Sequence, residues 1–128
     1  MADPLQALPD ALRHALLRRV PATLPDADAM RRRLWRAVKD AERARSRNPF
    51  VNLPLAREIA ERLEALVDRT ADGTDVQRGL VAAAIAYFAT HDEHFEGAFG
   101  FDDDAAMVGA VEEALEEDAA AAEPRAAR

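Results

Sequence analysis

Between residues 91 and 104 the chain gathers the side chains most able to do chemistry. His91, Asp92, Glu93, His94 and Glu96 place two imidazoles and three carboxylates within six residues. Asp102, Asp103 and Asp104 add three more carboxylates shortly after. If the preceding helix ran on for one more turn, His91 and His94 would share a face. Imidazole with carboxylate is a set that zinc, manganese or iron accepts, whereas carboxylates alone suit calcium or magnesium. His91, Asp92, His94, Asp103 and Asp104 are therefore the candidate ligands for a divalent metal. Asp92, Asp103 and Asp104 could also serve paired-carboxylate acid–base chemistry, hydrolysis included.

The spacing matches no established metal motif, with neither His-Glu-x-x-His nor an EF-hand loop. A plainer reading makes the residues after Ala89 a solvated loop. Asp102 to Asp104 would then cap the next helix, where carboxylates meet free amides and the positive end of the dipole. Capping needs one or two of the three aspartates and leaves a surplus.

Other chemistries find less support. The one serine, Ser46, has no histidine near it in sequence, and there is no cysteine, so an activated nucleophile is not expected. Absent cysteines also exclude disulfides and fit a reducing compartment. Gly97 and Gly100 do not follow a strand, so they do not read as a phosphate loop. His14 sits among Leu12, Leu16 and Leu17 and reads as a partly buried helix residue.

A second constellation is electrostatic. Residues 31–47 hold eight basic and two acidic side chains, with Trp35 among them. Arg32, Arg36, Lys39 and Arg43 would form a basic stripe on one helix face. Such a stripe fits phosphates, an acidic protein or a solvated face. The net charge of −7 and the lack of a helix-turn-helix or stacking-aromatic pattern argue against nucleic acid. Residues 91–128 carry 12 acidic and 2 basic side chains, which would repel phosphates. The acidic stretch 112–118 offers the stripe a partner, within the molecule or in another copy.

These groups must be held by helices. The chain of 128 residues suits one domain with a single core. Its abundant Ala, Leu, Arg and Glu favour helix, and Ile and Thr are scarce. Leu12, Leu16, Leu17 and Val20 give a first helix over about 10–20, ended by Pro21 and Pro25. Thr23 or Asp26 caps a second helix reaching about Ala44, with Met30, Leu34, Ala37, Val38 and Ala41 inside. The Asn48–Pro54 loop tucks in Phe50, Val51 and Leu53. A third helix buries Leu55, Ile59, Leu63 and Leu66, and sets Glu58 against Arg62 and Arg57 against Glu61. Thr74 and Gln77 form a capping box for a fourth helix. From Leu80 to Ala89 that helix has no polar face, so the others should surround it. A fifth helix starts at Asp102 or Asp103 and buries Met107, Val108, Val111, Ala114 and Leu115. Residues 118–128 read as a disordered acidic and alanine-rich tail.

The stretch of about 76–115 resembles the domain-of-unknown-function 1232 family, also called YkvA-type. That family's signature is an apolar helix ending in an aromatic, then Asp-Ile-Pro, a glycine and an Asp-Asp-Ala helix start. Tyr87 matches the aromatic and Asp92 the first aspartate. Gly100, Asp103, Asp104 and Ala105 match the second element. His94 and Phe95 stand in place of the Ile-Pro pair, so the proline-set bend is missing. The resemblance implies a small helical domain marked by an aspartate-bearing loop, and it carries over no catalytic residue.

The expected protein is an all-α bundle of four to five helices around a central apolar helix at about 75–90, forming one domain over 1–117. The longest apolar run is half of the roughly 20 residues a membrane span needs, and no signal peptide is expected. A cytoplasmic, non-catalytic interaction module is the leading expectation, with a protein partner or self-association. Its surface would be the basic stripe, the acidic fifth helix or the 91–104 loop.

Overall fold

A computed structural model describes residues 4–90 and 101–126, with side chains through residue 118. The fold is all-α, as expected. A 3-10 turn at Pro4–Ala7 precedes five helices: α1 Asp10–Arg18, α2 Ala27–Arg47, α3 Leu53–Arg69, α4 Asp75–Ala89 and α5 Asp102–Ala126. Helix α4 is contacted by all four of the others. Gly79, Val81 to Ala86 and Phe88 are buried along it. A helix without a polar face is stable in water only when covered on every side. The alanines at 82, 83, 84 and 86 keep it thin, so its neighbours can approach closely.

The start of α4 is set by Thr74. Its hydroxyl accepts from the Gln77 amide at 3.1 Å, while the Gln77 side chain accepts from the Thr74 amide at 3.0 Å. This satisfies two of the amides that a helix start leaves open. Of the two candidate caps for α2, Asp26 does the work, accepting from the Ala29 amide at 2.7 Å. All five expected core residues of α2 are buried. Asn52 caps α3 and Pro54 lies in its first turn.

Several side chains depart from expectation. On α1 only Leu16 is buried; Leu17 and Val20 are exposed, because the helix ends at Arg18 and Val20 falls in the turn after it. His14 is exposed as well. In the 48–54 loop Val51 is buried but Phe50 is 84% exposed. Asn48 explains that outward turn, since its side chain holds the Phe50 amide at 2.9 Å in a local turn. Arg57 pairs with Glu42 of α2 at 3.1 Å rather than with Glu61. Arg62 does pair with Glu58 at 3.8 Å, and more closely with Glu112 of α5. The backbone of α5 stays helical past Glu117 to Ala126, in a stretch rich in the helix formers alanine and glutamate. No helix among the described residues is long and apolar enough to cross a membrane.

Ala83 is fully buried at the centre of α4. Ala83→Leu is expected to destabilise the protein by about 1–3 kcal/mol, because added methylenes have nowhere to go. Val76, on the same helix but 72% exposed, should tolerate Val76→Ala within about 0.5 kcal/mol. Urea unfolding of both variants checks the contrast, and equal effects would contradict an all-round covered helix.

Candidate functional site

The end of α4 and the start of α5 meet at an aromatic pair. Phe88 and Phe101 lie with ring centroids 5.8 Å apart, tilted by 54°. Both are buried. Phe101 precedes α5 with a φ of +60°, a left-handed conformation that phenylalanine seldom adopts. Its carbonyl nonetheless accepts the first helical bond, from the Ala105 amide at 3.0 Å. Burial of the Phe101 ring helps hold this backbone in place and so sets the rotation of α5.

That rotation decides what each aspartate does. Asp102, Asp103 and Asp104 all lie in the first turn of α5. Asp102 and Asp103 are exposed, as helix-start carboxylates normally are. Asp104 is only 6% exposed. Buried positions 104, 107, 108, 111 and 115 follow helical spacing, so Asp104 heads the core stripe of α5. Its Oδ2 is buried and has no hydrogen-bond partner among the described residues. Burial pushes the carboxyl up to about 7 from an ordinary 3.8; its own backbone amide opposes the shift and the charge of Asp103 adds to it. A carboxyl near half-protonation at neutral pH can give or take a proton, unlike its solvated neighbours.

Tyr87 feels the same charges. Its hydroxyl is pushed above its ordinary value by burial first, then by Asp104 and Asp103, while Arg19 pulls the other way. The Arg19 guanidinium sits 5.3 Å from the Tyr87 ring centre and donates to the Ala15 carbonyl at 3.0 Å. Tyr87, Asp103 and Asp104, distant in sequence, thus share one electrostatic neighbourhood.

Of the candidate metal ligands, His91, Asp92 and His94 lie outside the described residues. Asp103 and Asp104 diverge, one toward solvent and one toward the core. Among the described residues no group of three or more His, Asp or Glu side chains is placed to hold a metal ion.

The basic stripe does assemble. Arg32, Arg36, Lys39 and Arg43 line an open groove of about 500 Å³ on α2, together with Trp35 and Asp40. The Trp35 indole N–H donates to Glu64 on α3 at 3.3 Å, which holds the ring at the groove's edge. Arg43 is paired with Asp40 at 3.1 Å. Arg32, Arg36 and Lys39 have no ion pair among the described residues. Their neighbour Arg31 differs, being committed to Asp68 at 2.5 Å and Asp28 at 3.1 Å. Among the described residues, the chain's own acidic helix does not pair with the stripe either. Glu112 is taken by Arg62 of α3, which donates to it through Nε at 3.0 Å and Nη2 at 2.5 Å. Glu113, Glu116 and Glu117 are exposed on α5.

No protein-family model, curated protein or solved structure matches the chain.

Asp104 gives a pH signature with a definite sign. The folded carboxyl holds its proton more tightly than the unfolded one. Its contribution to stability is therefore fully present below about 3.8 and is lost as pH rises through about 7. The slope in that window approaches about 1.4 kcal/mol per pH unit. Urea midpoints of the parent protein and of Asp104→Asn, measured across the window, should diverge in favour of the asparagine variant as pH rises. A constant difference would mean that the carboxyl ionises normally.

Proposed function

We propose that the protein is a small, non-catalytic interaction module whose docking surface is the basic groove of α2. The occupant is an acidic helical segment of a partner protein. The observation that carries this is the combination of Arg32, Arg36 and Lys39, three cations without an ion pair among the described residues, with a tryptophan held beside them. Cations at 32, 36, 39 and 43 recur every three or four residues, the spacing at which carboxylates recur along an acidic helix face. Tryptophan and arginine are also the side chains that most often anchor protein interfaces. Asp40 lies within the groove, which disfavours a polyphosphate backbone and tolerates a protein surface that supplies its own donors. The exposed glutamates of α5 show the chemistry such a partner would carry, and a second copy of the chain is one source of it.

We also infer that the chain is a divergent relative of the domain-of-unknown-function 1232 family. In support, Tyr87 lies in the last turn of the apolar helix α4 and Asp103 and Asp104 in the first turn of α5, the places the resemblance implies for them. On this reading the aspartate element serves the fold and its pH response rather than a reaction.

Trp35 is the one tryptophan of the chain and reports directly on the groove. A helical peptide with glutamates three and four residues apart should change its fluorescence saturably. The response should vanish in about 1 M salt, where the screening length is about 3 Å. Reversing Arg32 and Arg36 to glutamate should weaken binding at least tenfold, a loss of about 1.4 kcal/mol or more. No response, or tighter binding of a DNA oligonucleotide than of the peptide, would contradict the proposal.

A further inference from the structure

We infer that the occupant of the α2 groove is α5 of a second copy of the chain, which presents Glu113, Glu116 and Glu117 to Arg32, Arg36 and Lys39. The inference rests on the reading of the groove as a dock for an acidic helix, and adds which helix that is. Glu113, Glu116 and Glu117 are exposed and lie at i, i+3 and i+4 on α5. They fall within one arc of about 100°, on the side of the helix opposite the buried Val111 and Leu115. None of the three has an ion pair among the described residues. Glu112, beside them, is held by Arg62 of α3.

The fold keeps the two surfaces of one molecule apart. Helix α3 lies between the helices that bear them: its Arg62 reaches Glu112 on α5, while its Glu64 accepts the Trp35 indole N–H from α2. Residues 62 and 64 are about 200° apart around α3, so α2 and α5 sit on nearly opposite sides of it. Packed helices stand about 8–10 Å apart, which separates the axes of α2 and α5 by roughly 16–20 Å. The exposed carboxylates of α5 therefore do not reach the exposed cations of α2 within one chain, and the two surfaces can meet only between copies. Their dimensions agree. The groove from Arg32 to Arg43 covers about 17 Å of helix, and α5 runs on for about 20 Å from Glu113 to Ala126. The net charge of −7 on each copy opposes approach at long range. At about 0.1 M salt the screening length is about 10 Å, which damps that repulsion and spares pairs in contact. Each copy carries both surfaces, so mass rises with concentration whether pairs close or chains grow.

The test is analytical sedimentation of the full chain. At about 0.1 M salt the average mass should rise between about 10 µM and about 1 mM protein, and return to the monomer's in about 1 M salt. Arg32→Glu with Arg36→Glu should weaken self-association at least tenfold, and so should Glu113→Lys with Glu116→Lys. Mixing these two variants should restore association, because each then meets the opposite charge on the other. Arg18→Glu with Arg69→Glu makes the same charge change at exposed positions outside the groove and should leave self-association within twofold. All six positions are exposed, so the fold should survive, and the salt response of the parent needs no variant. The inference is overturned if the parent stays monomeric at about 1 mM, if mixing restores nothing, or if the control pair weakens association as much as the groove pair does. A monomeric parent that still binds the glutamate peptide would overturn this inference alone; one that does neither would remove the groove reading as well.

Discussion

A helix whose stretch from Leu80 to Ala89 has no polar face is the constraint from which the rest of this protein follows. Helix α4 buries eight of its fifteen residues, including the unbroken run from Val81 to Ala86. It can do so only if other helices close around it, and α1, α2, α3 and α5 all do. Alanine makes this arrangement possible. Side chains of one carbon leave room for larger neighbours such as Leu34, Leu63 and Val111, each fully buried. Close packing of this kind contributes dispersion attraction from every side but leaves little tolerance for added volume.

The two ends of α4 carry the consequences. Toward its N-terminal end the connection from α1 packs on Gly79, and farther along, at Ala82, Ile85 and Ala86, lies a crevice flanked by Arg19 and Arg33. At its C-terminal end Phe88 meets Phe101, and the left-handed residue starts α5 with Asp104 facing inward. Burying a carboxylate without a partner is unfavourable, and the group responds by holding its proton to higher pH. The basic face belongs to α2, whose buried stripe packs against α3 and α4. The molecule thus carries a basic surface on α2 and, apart from it in sequence, a buried carboxyl at the head of α5.

Much of the helical framework could be read from residue spacing. The stripe Met30, Leu34, Ala37, Val38 and Ala41 and the Thr74–Gln77 box are local patterns, so they survive unchanged in the fold. What escaped were pairings between distant segments and local turns that leave no periodic pattern. Arg57 chooses Glu42 over Glu61 because α2 brings a closer carboxylate. Phe50 turns outward because Asn48 captures its amide. The left-handed backbone of Phe101 has no signal in composition or period. The burial of Asp104 did leave a trace: one turn back from Met107 and Val108, the apolar period lands on residue 104. Reading the three aspartates as a group of caps hides that, since the helix treats each position differently.

Native-state hydrogen exchange tests the central claim most directly. If α4 is covered on every side, the amides from Val81 to Phe88 should exchange only through global unfolding, so their opening free energies should equal the stability measured with denaturant. They should also stand above those of the nine-residue α1, which covers one side of α4 and exposes Leu17. Exchange of the α4 amides at free energies well below the global value would contradict the account, because the innermost helix would then open while the rest stayed folded.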